Sequence, residues 1–174
     1  MSLSTRRFFL ILGGLVAVLV LQGTFLYKLK LFGVRPDFIL AAVGSIALLH
    51  GWPRGLLWGS VGGLLEDLMS GSLPGSHALA KSIVGFALGL LEGKVFKENI
   101  ILPAIALFGA GLAEGVIFYL ASGLFGEIEW AFVIVVRKVI FPTAVATALF
   151  SPAIYRICES IYKPSPYDRR QPLL

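Results

Sequence analysis

Charged residues are scarce in this chain. Only 14% of its 174 residues are Asp, Glu, Lys or Arg, while 57% are hydrophobic, and the mean hydropathy is +0.86. Soluble domains are about 45–50% apolar and about 25% charged, so this composition excludes a soluble globular enzyme. It also excludes a disordered chain, which would combine low hydrophobicity with high charge. A membrane-spanning helix needs about 20 apolar residues, so the chain has room for about five to seven spans and for no soluble catalytic domain.

Cysteine and histidine are also rare, and the usual catalytic motifs are missing. Cys158 is the single cysteine, so it forms no internal disulfide and no thiolate metal cluster by itself. His50 and His77 stand alone without ligand spacing, so we expect no metal and no cofactor. A phosphate-binding Gly-Lys loop, a zinc-binding HExxH and a nucleophile GxSxG are all missing, which predicts a protein that is not an enzyme. The net charge of +5 comes without a basic run interleaved with aromatics, so nucleic acid is not an expected partner.

The apolar runs predict an all-α, polytopic transmembrane bundle of about six spans. The first run follows a basic start, as in a signal peptide, but it has span length and no small-residue cleavage motif, which favours an uncleaved first span. Short turns rich in glycine, proline or charge separate the runs. The predicted spans are residues 8–27, 36–50, 56–69, 78–91, 100–125 and 130–162. Residues 1–162 are thus one membrane domain, and the proline-containing tail 163–174 is predicted to be disordered.

The distribution of Lys and Arg predicts the orientation of these spans. With six spans and the N-terminus inside, nine basic residues lie in the inner segments and three lie in the outer loops. Basic residues collect on the cytoplasmic side of a membrane. Both termini are therefore predicted to be cytoplasmic. The inner set is Arg6, Arg7, Arg54, Lys94, Lys97, Arg156, Lys163, Arg169 and Arg170, and the outer set is Lys28, Lys30 and Arg35.

Ionisable residues inside the spans are candidate functional groups. Each costs about 2.5–3.5 kcal/mol at a helix centre, so it should face the bundle interior or a cavity and find a partner there. Structural ion pairs are one interpretation, and an ion path or a polar docking site for a partner is another. The six residues are Glu66, Asp67, Lys81, Glu114, Arg137 and Lys138.

Glycines at four-residue spacing predict which of these groups meet. One stripe runs along the third span and includes Asp67, and a second stripe on the fourth span begins with Lys81. Small residues at this spacing let two helices approach closely, and Asp67 and Lys81 are each seven residues from Pro74. We therefore predict a buried Asp67–Lys81 ion pair. Glu114 and the pair Arg137-Lys138 should lie at similar depths in their two spans, so we also predict that Glu114 pairs with Arg137 or Lys138. The stripes are Gly55, Gly59, Gly63, Asp67 and Gly71, and Lys81, Gly85, Gly89 and Gly93.

Three motifs resemble the bacterial rod shape-determining membrane protein family MreD. The first is Arg35-Pro36-Asp37 at the start of the second span. The second is a row of small residues around an aspartate, formed by Gly59, Gly63, Asp67, Gly71 and Gly75. The third is a late apolar helix with an internal proline, Pro142, although the Arg137-Lys138 pair before it departs from the family pattern.

The resemblance implies a non-enzymatic subunit of the cell-wall elongation machinery in the cytoplasmic membrane. Its implied partners are the membrane helix of the single-span protein MreC and, indirectly, MreB filaments and the cell-wall synthases that make peptidoglycan. Membrane lipids are also expected to contact the protein. Lipid-facing glycines such as Gly109 or Gly111 are the expected contacts for the partner helix.

The family's bundle is similar to the substrate-binding subunits of energy-coupling-factor vitamin transporters. That similarity gives the alternative function, a small-molecule-binding transporter subunit. A third interpretation, a proton-coupled channel subunit, depends only on the buried charges.

Overall fold

Within the residues that this computed structural model describes, every regular element is a helix, which confirms the all-α class. The structure describes residues 3–24, 33–71, 74–93, 101–124 and 131–161. The elements are α1 (Leu3–Thr24), α2 (Phe38–His50), α3 (Trp52–Ser70), α4 (Ser76–Gly89), α5 (Ile101–Leu124), α6 (Phe132–Val135), a π-helical segment (Val136–Ile140) and α7 (Phe141–Ile161). The last three follow one another without a break, so the described residues form six helices. The predicted tail 163–174 lies outside these residues.

Among the residues that the structure describes, two helices are long and apolar enough to cross a membrane. They are Ile101–Leu124, with 24 residues, and the continuous stretch Phe132–Ser160, with 29 residues. At 1.5 Å per residue, a helix of 24 residues extends about 36 Å, which exceeds the roughly 30 Å hydrocarbon core of a bilayer. Phe9–Thr24 and Phe38–His50 are shorter apolar helices.

Helix α2 lies in the middle of the bundle. Ten of its 13 residues are buried, which explains its almost uniformly apolar sequence. One side packs with Leu15 of α1 and Trp58 of α3, and the other side packs with Val84 of α4 and Leu107 of α5. The other helices are therefore arranged around α2.

The connection between α2 and α3 is shorter than the sequence predicts. The glycines and proline of residues 51–55 predict a five-residue turn, but α3 already begins at Trp52 and Pro53 occupies its first turn. Proline is favoured there because the missing N–H has no helical partner to lose. Gly51 alone makes the turn, at φ +82°, a conformation that glycine adopts without steric cost. As a result α3 has 19 residues.

The two glycine stripes meet along α3 and α4 and bring the two backbones into direct contact, but Gly93, predicted as part of the second stripe, lies beyond the end of α4 at φ +70° with no atom within 4 Å of an added Cβ. Gly55 faces the backbone of Gly85, Gly59 faces the backbone of Lys81, and Gly63 faces the backbone of Ala78. A methyl group at any of these three glycines would overlap those backbone atoms. The decreasing numbers along α4 show that the two helices run antiparallel.

Gly71 and Gly75 have a different role from the other glycines of the same motif. Both lie outside the helices at positive φ, +65° for Gly71 and +98° for Gly75, and neither has atoms within 4 Å of an added Cβ. Gly71 ends α3 in the left-handed conformation, and Gly75 precedes the first residue of α4. These glycines shape the turn between the helices and do not provide a close packing contact.

Two prolines modify the last helix in different ways. Pro142 is the second residue of α7, one residue beyond the π-helical segment Val136–Ile140, and the wider turns of that segment relieve the clash of the ring with the preceding backbone. Pro152 lies within α7 and deprives the Ala148 carbonyl of its helical donor. The Ser151 hydroxyl donates to that carbonyl at 2.7 Å and so replaces the missing bond.

Candidate functional site

A fully buried lysine lies at the centre of the molecule. Lys81 in α4 has no exposed surface, and its ammonium contacts three carboxylates from other parts of the chain. Its Nζ is 2.6 Å from Asp37 Oδ2 and 2.7 Å from Glu66 Oε2, and it also bonds Glu114 Oε1. We call these four residues the Lys81 cluster. The cluster joins the start of α2 to α3, α4 and α5.

The Lys81 cluster carries more negative than positive charge. The side chains of Asp37, Glu66 and Glu114 are only 12%, 18% and 8% exposed. With all three ionised, one ammonium leaves a net charge of −2 in a region that is mostly shielded from water. Buried charges require paired partners because desolvation is expensive. The cluster is therefore an unusual concentration of charge for a chain in which charge is scarce.

Asp37 connects three elements at this point. Its Oδ1 accepts the backbone N–H of Leu40 at 2.7 Å and so caps the N-terminus of α2. Its own N–H donates to Thr147 Oγ1 of α7 at 2.8 Å, and Oδ2 binds Lys81. Pro36 is fully buried and lies before the start of α2, whereas the predicted second span began at this residue. Within the Arg35-Pro36-Asp37 motif, the aspartate is thus the residue that connects α2, α4 and α7 at the Lys81 cluster.

The predicted Asp67–Lys81 ion pair is wrong. Asp67 is buried, and its carboxylate accepts backbone N–H groups of Gly75 at 2.9 Å, His77 at 3.0 Å and Ala78 at 3.2 Å. These donors belong to the N-terminus of α4, where helical N–H groups lack partners within the helix. Asp67 therefore holds the start of α4 against the end of α3.

The reason for this error is the register of the two helices. Counting from Pro74 assumes a symmetric hairpin, but Gly59 lies opposite Lys81 and Gly63 lies opposite Ala78, which places Asp67 beside the first turn of α4. Side chains on a helix tilt toward its N-terminus, so the Lys81 side chain extends toward the end of α3. There it meets Glu66, which is rotated by about 100° from Asp67 around the helix.

The predicted pairing of Glu114 with Arg137 or Lys138 is also wrong. Glu114 is buried and binds Lys81, whereas Arg137 and Lys138 are exposed. In the same segment, Val139 and Ile140 line an internal cavity, so the two cations point to the other side. Glu114 therefore forms its ion pair within the Lys81 cluster and not with the basic residues of the last helix.

A cavity of about 540 Å³ opens beside the cluster. It lies at one end of the bundle, where the end of α1, the start of α2, the end of α3 and the start of α4 meet α5 and the π-helical segment. Apolar atoms make up most of its wall, and several polar and charged side chains face into it. The lining residues are Gln22, Arg35, Asp37, Glu66, His77, Gly111, Glu114, Gly115, Phe118, Tyr119, Ser122, Val135, Val139, Ile140 and Thr143.

His77 is the residue of this wall that sequence analysis missed. It stacks on Phe118 with ring centroids 4.2 Å apart, and its Nδ1 is 3.9 Å from Glu114 Oε1. One ligand atom from each of Glu66, His77 and Glu114 lies within 4.8 Å of the others. The sequence shows no ligand spacing around His77 because these neighbours come from other helices. The one available signal was the charge of Glu66 and Glu114 inside apolar runs.

A family model described as rod shape-determining protein MreD matches residues 4–163. The match includes the Lys81 cluster and all three sequence motifs. The chain matches no curated protein and no solved structure, so the predicted similarity to energy-coupling-factor subunits stays a prediction.

Proposed function

Because the chain belongs to the MreD family of rod shape-determining proteins, we propose that it is an integral subunit of the cell-wall elongation machinery that binds MreC. The family is a membrane protein family with a structural role in cell shape. In this proposal the chain connects MreC indirectly to MreB filaments and to the cell-wall synthases. The family match over nearly the whole chain is the observation that supports it most.

The proposed topology has six spans with both termini in the cytoplasm. The nine-to-three distribution of Lys and Arg supports it. In this orientation the cavity and Arg35 lie toward the outer face, and Gly51 lies toward the inner face. Cys158, near the end of α7, is then close to the cytoplasm. A membrane-impermeant thiol reagent that labels Cys158 from outside intact cells would contradict this topology.

The exposed face of α5 is the proposed contact for the membrane helix of MreC. Gly109 is exposed with no atom within 4 Å of an added Cβ, and Ile105 and Ala113, four residues away on either side, are exposed too. In lipid, helices associate by close packing at small residues, because lipid tails remove the hydrophobic driving force. The Gly109–Ala113 spacing fits such an approach. Gly111, the other glycine predicted for this role, instead packs against Ala144, 3.1 Å from an added Cβ.

Copurification of MreC from native membranes tests this proposal. We expect Gly109→Leu to reduce the recovery of MreC, because the larger side chain blocks the close approach, while the bundle stays folded. Gly13→Leu is the matched control, since Gly13 on α1 also has nothing within 4 Å, and it should leave recovery unchanged. Normal recovery with Gly109→Leu, or with MreC that lacks its membrane helix, would rule out this contact.

The cavity supports a second candidate function, a small-molecule-binding membrane subunit of a transporter. Ligand pockets have volumes of about 300–1,000 Å³ and combine apolar walls with a few placed polar groups. The cavity has this size and this kind of wall. Copurification separates the two candidates. Recovery of MreC supports the shape-determining role, and recovery of an ATPase module with its membrane coupling subunit supports transport.

A further inference from the structure

We propose that Glu66, His77 and Glu114 form a binding site for a divalent transition-metal ion in the wall of the cavity. The three residues come from α3, α4 and α5, and one ligand atom from each lies within 4.8 Å of the others. Imidazole nitrogen and carboxylate oxygen are ligands for zinc and for cobalt in the same geometry. The inference goes beyond the proposed function and does not depend on it.

The distances fit a shared ion. Bonds from zinc to imidazole nitrogen or carboxylate oxygen are about 2.0–2.2 Å, so two ligands of one ion are about 3.4 Å apart in a tetrahedral arrangement and at most about 4.4 Å apart. His77 Nδ1 and Glu114 Oε1 are 3.9 Å apart, which is too long for a hydrogen bond. Glutamate has a flexible side chain, and a small rotation brings the widest of the three separations into this range.

The position of His77 is fixed by two contacts that leave Nδ1 available. Its backbone N–H donates to Asp67 Oδ1 at 3.0 Å, and its ring stacks on Phe118. Nδ1 is a buried atom, and within the described part of the chain it has no hydrogen-bond partner. Leaving a buried polar atom without a partner is unfavourable, and a metal ion supplies the partner. The family aspartate Asp67 thereby acts as a positioning residue for this site.

Charge also favours a divalent cation. The Lys81 cluster retains a net charge of −2 when its carboxylates are ionised, and one divalent ion balances that charge. Lys81 does not need to leave, because Glu114 Oε1, the oxygen that lies near His77 and binds Lys81, has a second lone pair for the ion. Arg35, which also lines the cavity, is exposed. The remaining coordination positions of the ion face the cavity, where water completes the shell.

The test uses the full chain in detergent, purified with a tag that contains no histidine and freed of metal. We expect calorimetric titration with Zn²⁺ to give one ion per chain and Co²⁺ to produce visible ligand-field bands. His77→Phe keeps an aromatic ring on Phe118 but removes the nitrogen, and it should weaken binding by at least about 100-fold, the upper end of what the loss of a supporting residue costs. Glu114→Gln should also weaken binding.

His50→Gln is the matched control, because His50 is the only other histidine and does not line the cavity. It should bind Zn²⁺ as the unmodified chain does. The proposal is overturned if the unmodified chain binds no ion at this stoichiometry, or if His77→Phe binds equally well. It is also overturned if both histidine variants lose binding equally. If His77→Phe does not fold, the imidazole NMR signals of the unmodified chain decide: Zn²⁺ must shift those of His77 and leave those of His50 unchanged.

Discussion

The hairpin of α3 and α4 and the hairpin of α5 and α7 are both antiparallel, but they are packed in different ways. In the first, Gly55 and Gly63 touch the backbone of the facing helix, and no side chain lies between the two backbones at these points. In the second, Gly111 and Gly115 face the side chains of Ala144 and Ile140, and the cavity opens next to them.

This difference shows what a row of glycines can predict. Glycines spaced by four residues occur on both α3 and α5, but α3 packs on the backbone of α4, whereas Gly115 of α5 meets the side chain of Ile140. Small residues on both helices favour close backbone contact, so a row of glycines on one helix does not determine the packing by itself. The Ile140 side chain keeps the backbones farther apart at this point and leaves room for polar groups. The Lys81 cluster bridges the two hairpins, since Glu66 and Lys81 belong to the first and Glu114 to the second.

Removing that bridge should have the largest effect. Lys81→Met leaves three buried carboxylates without their cation, and loss of one partner of a buried ion pair costs about 3–5 kcal/mol. We expect a decrease of this size in the free energy of unfolding, measured by denaturant titration in detergent. Lys138→Met, at an exposed position, is the control and should change stability by less than about 0.5 kcal/mol. Equal stability of the two variants would show that the cluster does not hold the hairpins together.

Alanine at glycine positions tests the two kinds of packing directly. Gly63→Ala places a methyl group into the backbone of Ala78, and such overpacking costs about 1–3 kcal/mol. Gly115→Ala places it 2.7 Å from Ile140 Cγ2, a side chain that can move toward the cavity, so a smaller loss is expected. Gly109→Ala has open space and should be neutral or slightly stabilising, because alanine favours the helix. Thermal unfolding that ranks the three variants differently would contradict this comparison.

The smallest energy is expected for the coupling between Asp67 and Lys81 in the first hairpin. Asp67→Asn weakens the cap of α4 and should cost about 0.5–2 kcal/mol. If Asp67 and Lys81 do not pair, the effects of Asp67→Asn and Lys81→Met add to within about 0.5 kcal/mol. The cycle of Glu66→Gln with Lys81→Met should instead show clear coupling. Strong coupling to Asp67 and none to Glu66 would reverse the assignment of partners.

The sequence predicts the helices well because hydropathy and turn residues are local properties. The bounds of α4, α5 and the last helix follow closely from the apolar runs, and the contact of the two glycine stripes follows from their spacing. The turn at residues 51–55 was predicted too long because Pro53 is equally suited to a loop and to the first turn of a helix.

The candidate site was much less predictable, because its residues meet through the register of the helices. A shift of one residue separates Glu66, which binds Lys81, from Asp67, which caps α4. Composition shows that buried charges must find partners, but it does not show which ones. The sequence marked Asp37 only as part of a family motif at the start of the second span, and His77 carries no charge in its neutral form, so neither was counted among the charges of the apolar runs.

In the proposed six-span topology, the burial of Lys81 also bears on the order in which the helices enter the bilayer. Helix α4 has only 14 residues and carries an ammonium near its middle, which makes it a poor candidate for insertion alone. Helix α3 precedes it in synthesis and carries Glu66 and the glycine surface that α4 needs. We therefore expect the translocation machinery to release α3 and α4 together, as a hairpin whose lysine is already neutralised. Asp37, at the start of α2, precedes both helices in synthesis, and Glu114 completes the coordination of the ammonium after α5 has arrived.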